Sequence, residues 1–168
     1  MTPPLPGPLG GADLLGWRLD ARQFAPSWDS GEGAFRFGGR WNSPGVRAVY
    51  CALDPATTIL EVAVHRGFKR MDTIAHCLSS FRILDPATVH VVQPEDLPNP
   101  NWLRPGPPSA GQQVFGDTLL TAHKFVLVPS VVSSNSWNVV FVASVARGGY
   151  ELAKQESFAL DTRLHPPA

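Results

Sequence analysis

Gly38-Gly39-Arg40-Trp41-Asn42-Ser43-Pro44-Gly45, followed by Arg47-Ala48-Val49-Tyr50-Cys51-Ala52 and then by Asp54-Pro55, is the stretch that sets the fold class. The first eight residues are a loop or tight hairpin, because glycine takes backbone angles that other residues resist and Pro44 removes a donor. Residues 47–52 alternate small and apolar side chains and are predicted to be a strand. Asp54 can cap a helix, and Pro55 is tolerated at its first position. Ala56, Ile59, Leu60, Ala63 and Val64 recur at helical spacing and predict a buried stripe, with Gly67 marking the end. Turn, strand and helix in immediate succession argue for an α+β domain rather than a bundle or a sandwich.

Outward from this centre the elements are short, since 15 glycines and 17 prolines are spread along the chain. Residues 1–16 are rich in Pro, Gly and Leu and are read as a flexible tail, leaving 17–168 as one domain. Residues 17–24 are predicted strand and 30–46 a Gly-rich loop. Strands are expected over 73–84, 88–93, 124–132, 137–146 and 150–161, a surface loop over the Pro-rich 94–111, and a short helix over 116–123. The expectation is a single domain of mixed, mostly antiparallel sheets with few helices, one of them principal.

The 168 residues carry 14 basic and 14 acidic side chains, with 43% hydrophobic and 17% charged residues. That excludes a disordered polyelectrolyte. Zero net charge lacks the broad positive field of non-specific nucleic-acid binding, so no direct nucleic-acid partner is expected. Cys51 and Cys77 form no CxxC and no Cys/His set has zinc spacing, so neither a disulfide scaffold nor a metal is expected. No signal-peptide pattern or membrane-length apolar run is seen; the expected location is cytoplasmic, away from membranes. Dinucleotide, P-loop, GxSxG and HExxH motifs are all missing.

What stands out is a set of polar residues in apolar surroundings. Arg40, in a Gly-Gly-Arg turn, either grips an anion through its planar fork or is a solvated hairpin residue. Trp41 is core or a lid over the turn. Tyr50 sits mid-strand, as core or as a stacking platform. Glu61 lies in Ile-Leu-Glu-Val-Ala-Val and is either an active-site acid or a surface residue; His65, four residues on, makes a weak pair with it. Ser130, Asn138 and Asp117 are each ligand-positioning or structural. Arg18, after Trp17, either reaches the same pocket or is a strand-edge charge. A non-enzymatic module with Phe35, Phe37 and Trp41 as base-stacking platforms is the competing reading, disfavoured by the missing basic stripe. A pure interaction protein with a decayed site is disfavoured by Arg40, Tyr50 and Glu61.

These residues in this order resemble the RES domain family, the toxin half of bacterial RES–Xre toxin–antitoxin systems. The likeness runs through Gly38 to Gly45, Val49-Tyr50, Leu60-Glu61-Val62, Gly116-Asp117, Val128-Pro129-Ser130, Asn138 and a closing strand Phe158–Leu164, about residues 17–164. It implies a fold like that of ADP-ribosylating toxins and consumption of NAD+ by hydrolysis, phosphorolysis or ADP-ribose transfer to a protein. It implies Arg40, Tyr50, Glu61 and Ser130 as catalytic residues, and Arg18, Arg40, Trp41, Tyr50 and Asn138 as NAD+-binding residues. It implies an Xre-like antitoxin over the active site. In one place the chain departs: members often carry Asn-Pro-x-His where this chain has Val142-Ala143-Ser144-Val145, which implies a different acceptor side or antitoxin surface.

Overall fold

The computed structural model describes residues 13–166. Most of the N-terminal tail therefore lies outside the described residues. Seven strands form one sheet: β1 (Leu14–Ala21), β2 (Ala48–Ala52), β3 (His76–Ile83), β4 (Val89–Val91), β5 (Phe125–Pro129), β6 (Trp137–Val142) and β7 (Tyr150–Phe158). Their order is β4-β5-β6-β2-β1-β3-β7, and all neighbours are antiparallel except β4 and β5. The helices are α1 (Glu32–Phe37), α2 (Pro55–Arg66), α3 (Phe68–Thr73) and α4 (Ala110–Ala122).

The sheet is pinched at its centre. β1 runs alongside β3 through eight register pairs, but it meets β2 only at Trp17 opposite Ala52. Beyond that pair the two strands part, with Arg18 on one side of the gap and Tyr50 on the other. Alternation along the strands then assigns two faces. Val49, Cys51, Leu127, Val139 and Phe141 point one way, into an aromatic core with Trp28, Phe81 and Phe125. Ala48, Tyr50, Val126, Val128 and Val140 point the other way, beneath Trp41, Leu97 and Leu120. On this second face α4 covers the β5–β6 side. α2 covers the β1–β3 side, where Ile59, Val62 and Ala63 meet Leu19, Met71 and Leu78.

α2 begins and ends where its caps require. The Asp54 carboxylate accepts the Thr57 N–H at 2.8 Å, and Gly67, with φ 80°, closes the other end. Its buried face is not the predicted one, however. Thr57 and Thr58 are buried, while Ala56, Leu60 and Val64 are exposed, Val64 by 65%. Ile59 and Ala63 alone of the predicted stripe are partly buried against the core. Ala56, Ile59, Leu60, Val62, Ala63 and Val64 spread over more than one face of the helix, so spacing left its orientation open. A Thr58 hydroxyl donating to the Trp17 carbonyl at 2.9 Å helps fix it.

Other differences have equally local causes. β1 starts at Leu14, so residues 14–16, placed in the tail by composition, belong to the sheet; the Phe81 ring occupies the space a Gly16 Cβ would need. The Gly-rich segment contains α1, entered through Gly31 at φ 62°. α3 was not predicted. α4 starts at Ala110, well before Gly116, capped by Ser109, whose hydroxyl accepts the Gln112 N–H. β7 stops at Phe158, and Asp161 caps a 3-10 turn over Thr162–Leu164 in place of a continuing strand. No helix among the described residues is long and apolar enough to cross a membrane.

Candidate active site

α2 packs on β1 and β2 and α4 on β5 and β6, so the candidate residues gather on the sheet surface between the two helices, here called the cleft. Tyr50 pairs with Val140 and Ala52 with Asn138, so Tyr50 and Asn138 emerge on the same face, one step apart on neighbouring strands. Val128 pairs with Asn138, which carries Ser130, just past β5, to the same edge.

On the α2 flank, Glu61 is held by one oxygen. Its Oε1 accepts from the Ser130 hydroxyl at 2.8 Å and from Asn138 Nδ2 at 2.7 Å. Ser130 is buried, and its Oγ also accepts the Ser133 N–H at 3.1 Å, which fixes its orientation. Among the described residues Oε2 of Glu61 has no hydrogen-bond donor; His65 Nε2 lies 3.9 Å from it, on a side chain 75% exposed. Asn138 Oδ1 is buried with no partner. The carboxylate is thus clamped at one oxygen and open at the other.

On the turn flank, the Tyr50 hydroxyl donates to Asn42 Oδ1 at 2.6 Å and accepts the Trp41 N–H at 2.9 Å. Burial pushes this phenol above its ordinary pKa, with the Asp117 charge adding to the effect. Gly39 must be glycine: a Cβ there would lie 2.6 Å from the Tyr50 hydroxyl. Gly116 is equally constrained, since a Cβ would overlap the Trp41 backbone carbonyl. Asp117 Oδ1 accepts the Ser43 N–H at 2.9 Å and pins the turn to α4. Asp117 therefore has a structural partner.

Arg40 is neither solvated nor free. Its guanidinium donates to the carbonyls of Trp102 and Arg104 at 3.2 Å and of Gly106 at 2.9 Å, tying the Pro-rich loop to the cleft. Partial burial lowers its pKa, opposed chiefly by the negative charge of Glu61. Trp41 is core, one of its two sequence readings, and departs from the NAD+-binding role the resemblance implied: it is 4% exposed, its ring packed against Phe115, so the ring presents no face to a ligand. What it brings to the site is its backbone N–H.

Arg18 lies at the pinch. Alternation along β1 sends it to the face opposite Trp17, and it touches the other candidates only through backbone: Nη1 donates to the Tyr50 carbonyl at 2.9 Å. Asp20 holds the rest of the guanidinium through Nε at 3.0 Å and Nη2 at 2.9 Å. Burial raises the Asp20 pKa against the pull of Arg18.

The structure thus joins Glu61, Ser130 and Asn138 directly, sets Tyr50 and Arg40 across from them, and leaves Arg18 at the margin. Sequence reading missed Asn42, Asp20 and the loop carbonyls. Asp20 carried a signal, since residues two apart on a strand share a face; the carbonyls carried none. The Val142–Val145 turn falls at the far end of β6 from Asn138, so the missing Asn-Pro-x-His segment is not part of this cleft.

Known proteins give this geometry a context. A chain named Toxin Res from Photorhabdus laumondii is 27% identical over 90% of this chain and 97% of its own length. Toxin Res from Yersinia enterocolitica is 30% identical over 76% and 82%. The Prs ADP-ribosylating toxin of a Sphingobium strain is 31% identical over 88% and 94%. Among solved structures, the Mycobacterium tuberculosis MbcT–MbcA toxin–antitoxin complex contains a chain that superposes with a TM-score of 0.62 at 21% identity, covering 88% of this chain and 85% of that one, which supports the α+β fold. The sequence model of the RES domain matches residues 15–162, from the second residue of β1 to the turn after β7, and so encloses every residue of the cleft. With that span and those relatives, the chain belongs to the RES domain family.

Proposed function

We propose that this chain is the toxin of a toxin–antitoxin pair and that it breaks the nicotinamide–ribose bond of NAD+, passing ADP-ribose to water or phosphate. The observation that carries the reading is the Glu61 carboxylate, anchored at Oε1, without a donor at Oε2 among the described residues, and near enough to Arg40 for their charges to interact. Cleavage passes through an oxocarbenium-like state in which positive charge develops on the ribose, as in glycoside hydrolysis. A carboxylate already held in place stabilises that charge without reorganising. Ser130 and Asn138 hold Oε1, and Oε2 faces the ribose or its 2′-hydroxyl. The Tyr50 ring offers a stacking surface for the nicotinamide. Arg40 suits the pyrophosphate or ribose oxygens; Arg18, held by Asp20 and the Tyr50 carbonyl, is left to support the strand beside the site. The electron pair of the breaking bond returns to the nicotinamide nitrogen and cancels its charge. The leaving group therefore departs neutral and needs no general acid.

A second reading, transfer of ADP-ribose to a protein, is favoured by the likeness to a relative named as ADP-ribosylating. The bond broken and the residues are the same; only the acceptor differs. The solved complex of a similar fold with its antitoxin supports an antitoxin partner for this chain, and we propose that the partner is Xre-like and covers the cleft.

Glu61→Gln tests the central claim. Losing the charge while keeping the shape should slow nicotinamide release about 100-fold or more, equivalent to ~2.7 kcal/mol of barrier, and leave NAD+ binding by calorimetry little changed. Cells expressing the wild-type chain alone should lose NAD+ and stop growing, and the variant should spare them. Release within about threefold of wild type would remove Glu61 from the reaction.

A further inference from the structure

The Tyr50 hydroxyl is fully occupied: it donates to Asn42 Oδ1 at 2.6 Å and accepts from the Trp41 N–H at 2.9 Å. Asn42 is itself 0% exposed, and its Nδ2 faces three carbonyls, those of Ala34 at 3.0 Å, Ser43 at 3.0 Å and Val46 at 3.1 Å. The side-chain polar atoms of Asn42 are therefore spent inside the protein, one contact on α1, two on the turn and one on Tyr50. Gly39 completes the cradle by leaving room for the phenol.

We infer that Asn42 is the positioning residue of the cleft: it fixes the Tyr50 ring by its tip, so that Tyr50 meets a ligand through its ring alone and its hydroxyl is a tether, not an acid or base. The inference rests on the proposed NAD+ reaction for its functional consequence but not for its geometry. A hydrogen-bonded amide that spans a turn and a strand converts the fold of one into the ring position of the other. A ring left to rock loses the orientation on which stacking and near-attack geometry depend.

The test separates positioning from scaffolding. Asn42→Ala removes both the tether and the donors. Asn42→Asp faces the same three carbonyls, which favour its neutral carboxyl form, and so keeps an oxygen for Tyr50 while losing most of the donors. The readouts are nicotinamide release from NAD+ and the ring signals of labelled tyrosine, of which the chain has two. Asn42→Ala is expected to lower kcat/KM about tenfold and to shift the Tyr50 ring signals with faster flipping. Asn42→Asp should restore kcat/KM to within about threefold of wild type while its melting temperature stays well below. Adding Tyr50→Phe to Asn42→Ala should cost nothing further, because both cut one link. Equal losses in Asn42→Ala and Asn42→Asp, losses that multiply with Tyr50→Phe, or an undisturbed Tyr50 ring in Asn42→Ala would each overturn the inference. If Asn42→Ala does not fold, Tyr50→Phe cuts the tether from the other end, and wild-type turnover there overturns it too. A wild-type protein that releases no nicotinamide would sink the proposed reaction, and the ring signals would still decide the role of Asn42.

Discussion

The two flanks of the cleft are built differently. On the turn flank, polar side chains bond mostly to backbone: Asn42 to three carbonyls, Arg40 to three more, Tyr50 to an amide N–H. On the helix flank, side chains bond to side chains, Glu61 to Ser130 and Asn138, and one carboxylate oxygen is left over. Contacts to backbone fix the path of the chain, so their loss appears as instability. Contacts between side chains fix only a functional group, and leave it capacity to bind something else. The turn flank is scaffold that presents chemistry, and the helix flank is chemistry resting on an ordinary helix.

The largest effect that would break this contrast is at Gly116. With a Cβ overlapping the Trp41 carbonyl, Gly116→Ala must push α4 away from the turn. A loss of about 3 kcal/mol or more in denaturant unfolding is expected, among the severe costs of a single substitution. Under about 1 kcal/mol would mean that the turn flank yields easily and the contrast is wrong. Glu61→Gln, by comparison, should leave the unfolding midpoint nearly where it was.

Next in size is Arg18→Ala, which tests the strand that closes the helix flank. Removing Arg18 leaves Asp20, only 11% exposed, without its partner. Burial already raises the Asp20 pKa. A carboxyl whose folded pKa is raised contributes its stability below the ordinary range and loses it as pH climbs through the folded value. The variant should therefore match wild type near pH 4 and fall about 2 kcal/mol below it at neutral pH. That is smaller than for a fully buried pair, because Arg18 is 28% exposed. Denaturation at both pH values measures it; a pH-independent loss would exclude Asp20 as the cause.

The smallest effect sharpens the contrast at Arg40. Arg40→Lys keeps the charge but not the fork that spans three carbonyls of residues 102–106. Amide hydrogen exchange in that loop should speed up, and NAD+ turnover should fall about tenfold, near 1.4 kcal/mol. Slower turnover with an unchanged loop would assign Arg40 to the ligand alone.

The parts of the fold legible in advance are those with local causes. Asp54, Pro55 and Gly67 bound α2 because caps act over one turn. β2, β5 and β6 were readable from runs of Val and Ala flanked by turn residues. The buried face of α2 was not, because a helix with apolar residues on more than one face leaves the choice to the sheet. α1 was hidden because Gly33 and Gly31 read as loop, and its ends are set by Gly31 and Gly38, both at positive φ, rather than by a side-chain cap. Of the site, Glu61, Ser130 and Tyr50 drew notice as polar groups in apolar runs. Asn42 did not, since an Asn in a Gly-rich turn looks ordinary until its neighbours are known.

By itself, then, the sequence determined the α+β class, the order of most elements and which polar residues sat where apolar ones were expected, because hydrophobic period, capping and turn chemistry all act over a few residues. Only the tertiary structure decided that β1 and β2 part at Trp17 and Ala52, that Trp41 is core, that Arg40 holds a loop some 60 residues away, and that Glu61 keeps one oxygen free. Those outcomes depend on which distant backbone groups arrive within 3 Å or so of one another, and packing of the whole chain sets that distance.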